Sequence, residues 1–565
     1  VSDTLRLQGF AASAGIAIAP ARIVGGGAHG RRYDHIEPEA VLGEVARFAQ
    51  ALAESRREIE AAKEELTSKY GASHASILDV YLLMHDDAVF VDAVADAIRS
   101  ERVNTEWAVA KVAESLRTPL LADSSTYFRE RARDIDHLEE HLLRQLGGAA
   151  QPSPLPSSPT VLIASDLTPA DAVRLLAPPT AGLVVAQGAP SSHTAILARA
   201  FGVPTVVGVG PRIAEIRDRE EVLVDGFSGE VRVRFADAER QEAESRQARF
   251  VSFLAEAQTE GPSVTEDDVE IRVAANVGLP SEVEAALESG ASGIGLYRTE
   301  LMCLDRVEPP PEDEQVRIYE EVIRAMAPRP VVFRTFDWRG DKRLRAADLE
   351  RHEQAWLETQ VRAILRASGS GDASIMFPMV ATLVQLRTAR DLVEETRTQL
   401  GEAAVGHVSI GMMVEVPSAA LLADRFSRLA DFFAVGTNDL AHHTLASPRG
   451  GAGAGASPLD PAVLRLLASV TSAADRAGIP CSLCGDVATS PTGLGLMVGL
   501  GFRSVSVPVT AVRLARAVVR RIDLGLASRV ASDALDCETS DAVESLLDER
   551  LAPRLDPLRK QRDRA

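Results

Sequence analysis

Beyond residue 268 the chain repeats one pattern eight times: a short apolar run, then a stretch whose apolar residues recur at helical spacing. The runs are EIRVAA, GIGLY, PVVFRT, SIMFP, IGMMV, DFFAV, PCSLC and SVSVP. A parallel strand cannot reach its neighbour through a tight turn, so the helix after each run is the crossover that the next strand requires. Eight such units over about 255 residues predict a (β/α)8 TIM barrel across residues 268–525, with its active site at the C-terminal ends of the strands.

The residues at those ends test the expectation. In chain order they are Asn276, Arg298 and Glu300, Arg334 and Asp337, Glu415, Asn438 and Asp439, and Cys484. Arginines that can hold an anion thus meet carboxylates that can hold a divalent cation. A phosphorylated carboxylate with Mg²⁺ requires both. Any one of these residues alone would be read as a structural ion pair; the clustering favours a site.

The N-terminal part reads differently. LRLQGFAASAGIAIAPARIV alternates small and apolar residues as strand and turn, and about 36–147 is helical, as in VLGEVARFAQALAESRREIEAAKEEL. QPSPLPSSP at 151–159 marks a boundary. TVLIAS, GLVVAQ, PTVVGV and EVLVDG then alternate with helical stretches up to residue 235. The expected organisation is an α/β domain over 1–235 carrying a helical insert, a helical linker over 236–267, the barrel, and a helical tail over 526–565.

Within the α/β domain, GAPSSHTAILARAFG places His193 at a helix N-terminus: Ser191 and Ser192 are good N-caps and Gly202 ends the helical pattern. The positive end of the helix dipole disfavours imidazolium, leaving a neutral ring able to attack phosphorus, and it stabilises a phosphate once attached. A surface or capping histidine is the competing reading from spacing alone. His29, His35, His74, His85, His137, His141 and His352 are read as loop or polar-face residues. His442 and His443 are read as solvated loop histidines in preference to lining of the barrel mouth.

Composition excludes several classes. A net charge of −20 argues against nucleic-acid binding, which needs basic patches. Four cysteines in 565 residues cannot form a disulfide framework and point to a reducing cytosol. Cys481 and Cys484 form a lone C-x-x-C without a second ligand pair, so zinc is not expected. No segment has the length and apolarity of a membrane span, so a cytoplasmic protein without membrane insertion is expected.

The string PSSHTAILARAFGVPTVVG resembles the phosphohistidine motif of phosphoenolpyruvate-utilising enzymes. GIGLYRTELM, FRTFDWRGDK, MFPMV, MMVEVPSAA, VGTNDLAHHTLASPR and SLCGD resemble their barrel motifs in the same order. With the opening and the helical insert, the likeness is to the Enzyme I family, the phosphoenolpyruvate-protein phosphotransferases. That resemblance implies a swivelling phosphohistidine α/β domain with an inserted helical carrier-docking subdomain, followed by the barrel. It implies phosphorylation of His193; phosphoryl contacts from Arg298 and Arg334, with Arg449 near the substrate anion; Mg²⁺ on Glu415 and Asp439; and a substrate contact from Asn438. It further implies that Cys484 protonates the enolate carbon, that the insert docks an HPr-type carrier, and that the barrel forms a homodimer.

The pattern also departs from that family. Between Lys342 and RAILRAS the NPxLGxR motif, whose arginine helps bind phosphate, is missing from a shortened stretch. Losing one preorganised donor costs about 3 to 4 kcal/mol, or roughly a hundred- to a thousandfold in rate. Arg339 stands where glycine is common, and Asp486 where glutamate is. Arg339 or Arg343 is a candidate replacement donor. Two alternatives follow: a divergent non-catalytic or regulatory relative, favoured by the missing arginine, and a dikinase or synthase. The latter would need an ATP-binding domain for which the chain has no room, and no Walker-type loop is present.

Overall fold

The computed structural model describes residues 4–24, 33–70, 78–85, 87–121, 126–147, 158–188, 192–256, 261–303, 309–336, 346–401, 406–447 and 456–555. The chain divides into two compact units, with the division between Phe250 and Val251, inside the charged helix Asp237–Glu256.

In the first unit, eight strands form one sheet: β1 (Leu5–Gln8), β2 (Phe10–Ser13), β3 (Ile16–Val24), β4 (Thr160–Ala164), β5 (Thr180–Val185), β6 (Thr205–Val207), β7 (Glu221–Asp225) and β8 (Glu230–Val233). Their order is β1-β8-β7-β3-β4-β5-β6-β2, with β3 to β6 mutually parallel and the rest antiparallel. Every residue of β4 is buried, as a central strand covered on both faces requires. Leu162 and Ala164 join one core with Leu183, Leu175 and Leu197, while Val161 and Ile163 join the other with Val184, Val222 and Val231.

The helical insert lies between β3 and β4 in the chain. Its helices are Val41–Tyr70, Asp79–His85, Ala88–Glu101, Thr105–Leu121 and Thr126–Leu146. A core of its own joins Phe48, Phe90, Val94, Val109, Leu138 and Leu142. The long helix Val41–Tyr70 also sends Ile59 and Leu66 into the first of the two sheet cores, which ties the insert to the α/β body. One expectation fails here. His85, His137 and His141 are buried, although their helix faces read as polar.

The second unit closes eight parallel strands into a barrel: β9 (Arg272–Val277), β10 (Ile294–Arg298), β11 (Val331–Arg334), β12 (Ala373–Phe377), β13 (Val408–Val414), β14 (Phe432–Gly436), β15 (Cys481–Cys484) and β16 (Ser504–Pro508). All eight predicted runs are strands. Leu296, Met376, Met413, Ala434 and Cys484 pack together as a small separate core. The larger core joins the other strand faces to the surrounding helices and to Val530, Leu547, Leu551 and Leu555 of the C-terminal helices. Burial of this order at about 25 cal/mol per Å² is the main force holding such a sheet closed.

Candidate active site

Strand register brings the two barrel arginines side by side. Arg298 and Arg334 end β10 and β11 and are paired across them. Arg334 Nη2 donates to Glu300 Oε1 at 3.0 Å, with both side chains largely buried, and Thr299 Oγ1 donates to the Arg334 carbonyl at 2.8 Å. The Glu300 contact orients the guanidinium, and low local dielectric makes that contact stronger than a surface ion pair.

Glu415 follows β13 directly and is fully buried. Its Oε1 accepts the Met379 N–H at 2.5 Å. Met379 sits at φ 54, a left-handed conformation that a bulky side chain adopts only under constraint and that costs about 1 to 2 kcal/mol. Across the register, Gly436 ends β14. A Cβ there would lie 3.1 Å from both Cβ and Oε2 of Glu415, so glycine leaves room for the carboxylate.

Asn438 and Asp439 occupy the first turn of the helix Thr437–Thr444, just beyond β14. Asn438 Nδ2 donates to Asp486 Oδ2 at 2.9 Å, so the aspartate that stands in place of glutamate fixes the amide. Gly485 lets the end of β15 approach Thr437, where any Cβ would collide with the threonine hydroxyl. His442 and His443 belong to this same helix and not to a loop; His443 is exposed and His442 half-buried.

Cys484 ends β15 and is buried. Burial pushes its thiol up to about 12, against the pull of the Arg334 and Arg298 guanidiniums; Glu415 adds to the rise. The thiol therefore shares one electrostatic neighbourhood with both arginines and the buried carboxylate, and it stays protonated at neutral pH. Cys481 at the other end of the strand is likewise raised to about 12 by burial. Asn276 Oδ1 accepts from Ser506 Oγ at 2.6 Å on the adjoining strands. The structure thus gathers Arg298, Glu300, Arg334, Glu415 and Cys484 and sets Asn438 and Asp439 on the next helix start. Arg449, Asp337, Arg339 and Arg343 lie outside the described residues.

His193 is the first residue of the helix His193–Phe201. Ser192 caps it, its Oγ accepting the Ala195 N–H at 3.3 Å, and Gly202 closes it at φ 65. Thr194 is buried and donates from Oγ1 to the Leu167 carbonyl at 3.1 Å, which pins the helix start to the turn after β4. Sequence reasoning missed Thr194 as well as Glu300's hold on Arg334. Nothing in the spacing distinguishes a threonine that docks a turn from one that merely follows a cap.

Among the described residues, no three or more His, Cys, Asp or Glu side chains are grouped closely enough to hold a metal by themselves. Glu415, directly after β13, and Asp439, in the first turn of the helix after β14, are hard oxygen donors of the type a divalent cation takes when substrate and water complete its shell.

An arginine pair, a buried carboxylate and a protonated thiol thus share one barrel mouth, and a histidine begins a capped helix in the other unit. Three family descriptions match in order: PEP-utilising enzyme, N-terminal, over residues 8–131; PEP-utilising enzyme, mobile domain, over 156–229; and PEP-utilising enzyme, PEP-binding domain, over 254–524. The chain is 36% identical to the phosphoenolpyruvate-protein phosphotransferase of Bacillus sp. (strain S), covering 96% of this chain and 97% of that one. It is 36% identical to the enzyme of Geobacillus stearothermophilus with the same coverage, and 34% identical to that of Staphylococcus carnosus (strain TM300), covering 96% and 99%. The chain belongs to the phosphoenolpyruvate-protein phosphotransferase family.

Proposed function

We propose that this chain transfers the phosphoryl group of phosphoenolpyruvate to His193 and then to an HPr-type carrier protein, releasing pyruvate. The observation that carries the reading is the barrel mouth, where paired arginines and a buried, protonated thiol occupy one face in a chain related over its length to phosphotransferases. Arg298 and Arg334 hold the phosphoryl oxygens, Asn438 contacts the substrate, and Arg449 neutralises its carboxylate. Glu415 and Asp439 would hold a divalent cation, Mg²⁺ or Mn²⁺, which when bound would supply neutralisation of the substrate's negative charge.

A His193 ring nitrogen attacks phosphorus as the bond from phosphorus to the enol oxygen breaks. The electron pair of that bond stays on oxygen as an enolate, and the Cys484 proton moves to the methylene carbon to give pyruvate. The thiolate left behind regains its proton from solvent. Phosphoryl transfer depends chiefly on placement and charge neutralisation, which the barrel residues supply; the one covalent bond formed is that of His193 to phosphorus.

The helical insert docks the carrier, the barrel forms the dimer, and the enzyme works in the cytoplasm. No helix among the described residues is long and apolar enough to cross a membrane. The comparisons lend no support to a non-catalytic relative. Arg339 or Arg343 partly substitutes for the missing arginine. If neither Arg339→Ala nor Arg343→Ala weakens phosphoenolpyruvate use, that substitution is wrong. The decisive assay is incubation with radiolabelled phosphoenolpyruvate and Mg²⁺, comparing wild type with His193→Ala. Acid-labile label that passes to the carrier and vanishes in the variant is expected; an unlabelled wild type would overturn the proposal.

A further inference from the structure

The buried histidines of the insert form part of a polar chain that the phosphoryl chemistry does not use. Tyr81 Oη donates to Asp134 Oδ1 at 2.7 Å and also lies 3.1 Å from His137 Nδ1. On its other side His137 Nε2 is 3.0 Å from Asp166 Oδ2. Protons can be counted here. The one hydroxyl proton of Tyr81 is committed to Asp134, a carboxylate that only accepts, so Nδ1 must donate to the phenol oxygen. Asp166 also only accepts, so Nε2 must donate to it. A ring that donates from both nitrogens is imidazolium.

The electrostatics agree from both partners. Burial works to lower the pKa of His137, but the hydrogen bond and charge of Asp166, with the charges of Asp134 and Glu140, outweigh it and hold the ring above its ordinary value. Burial works to raise Asp166, and the hydrogen bond and charge of His137, the Leu167 N–H and Arg133 overcome that and hold it low. His85 and His141 line the same small cavity as His137, Tyr81 and the Thr168–Ala170 turn. They are held in turn by Ser55 Oγ at 2.6 Å from each, and Glu58 Oε2 lies 2.9 Å from His141 Nε2.

Beyond Asp166 the chain continues toward the phosphorylated helix. Asp166 Oδ1 accepts the Leu167 N–H at 2.8 Å, and the Leu167 carbonyl accepts the Thr194 hydroxyl. Thr194 is the neighbour of His193 in sequence. Four hydrogen bonds thus run from Tyr81 in the insert to the start of the helix that His193 begins. We infer that protonated His137 is a positioning residue for His193: through Asp166 and Leu167 it fixes the turn on which Thr194 docks.

The inference rests on the reading of His193 as the phosphoryl carrier and adds to it a dependence on pH. Neutral His137 has one donor for two demands, so as pH rises through the raised pKa of the ring the Asp166 contact loses its ion-pair character or the Tyr81 contact loses its donor, and the chain weakens. The test uses the full chain with phosphoenolpyruvate, Mg²⁺ and carrier, and compares wild type with H137Q, D166N and Y81F. The wild-type rate of His193 phosphorylation is expected to fall along an alkaline limb. In H137Q that limb disappears and kcat drops by about ten- to a hundredfold, the scale of a misplaced reacting group, while KM for phosphoenolpyruvate stays unchanged. In Y81F the limb moves to lower pH, because the acceptor for the Nδ1 proton is gone. D166N keeps the shape and loses the ion pair, and should match H137Q in kcat.

Histidine-selective ¹⁵N NMR supplies a readout independent of turnover: the His137 ring should carry protons on both nitrogens at pH 7.5, and the Thr194 amide should shift as it titrates. An H137Q enzyme with wild-type rate and alkaline limb, or a His137 ring that reads as neutral at pH 7.5, would overturn the inference. If wild type fails to label at all, the phosphotransferase reading falls, and the coupled titration of His137 and Thr194 still decides the link between them.

Discussion

Removing the Cys484 thiol should separate proton transfer from substrate binding. In Cys484→Ala the only atom lost is a sulfur packed against Leu296, Met376, Met413 and Ala434, so the fold should lose on the order of 1 kcal/mol from the small void. Serine would be a poorer probe, since its hydroxyl would keep the side-chain hydrogen bond to Ser482 and leave a proton donor in place. The thiol, raised to about 12 by burial, is loaded with its proton throughout the neutral range. A positioned acid contributes about a hundred- to ten-thousandfold, so kcat should fall by that factor, or roughly 2.7 to 5.4 kcal/mol in barrier. KM for phosphoenolpyruvate should change little, because Arg298 and Arg334 remain. The assay is steady-state pyruvate formation with carrier in excess. It is paired with stereospecifically deuterated phosphoenolpyruvate in tritiated water: wild type should give a methyl group of one chirality and the variant a racemic one, since its enolate is protonated in solution. Retention of wild-type kcat and chirality in Cys484→Ala would refute the assignment. So would alkylation of Cys484 by iodoacetamide at pH 7.5 as fast as that of Cys537.

Gly436→Ala should cost about 1 to 3 kcal/mol in thermal unfolding and raise the Mg²⁺ needed for half-maximal activity, because the added methyl meets the Glu415 carboxylate at 3.1 Å. Asp486→Ala should raise KM severalfold while leaving the melting temperature unchanged, since it releases the exposed Asn438 amide and no core contact. The raised thiols fix the sign of an alkaline effect. An unfolded cysteine loses its proton at about pH 8.5 whereas Cys481 and Cys484 keep theirs to about 12, so between those values unfolding releases protons and stability falls as pH rises. Each thiol adds about 1.4 kcal/mol per pH unit to that slope. Urea denaturation between pH 8.5 and 10.5 should show a shallower decline in Cys484→Ala, and an unchanged slope would contradict the burial.

The barrel was legible because period and length carry it. Each apolar run is too short to be a helix and is followed by a helical pattern, and a barrel strand must end where its substrate-facing residue begins. Arg298, Arg334 and Cys484 are the last residues of their strands, and Glu415 follows its strand directly. The helix at His193 was legible from Ser192 and Gly202, which act at the two ends as local chemistry predicts. What stayed hidden is what depends on tertiary neighbours. His137 and His141 lie four apart among Asp136, Glu139 and Glu140, a spacing that describes a solvated helix face as well as a buried polar seam. Only the packing of that helix beside Tyr81 and the end of β4 decides between the two. Glu300 was visible as a strand-end acid, but its work of aiming Arg334 depends on the register between β10 and β11, which a one-residue slip would abolish. The residues that touch substrate in such a fold are thus written at strand ends, while those that orient them are set by the other chain segments they meet. The mechanistic weight of the second group can be measured only by substitutions such as H137Q, which leave every residue assigned to the reacting groups in place and remove one of their supports.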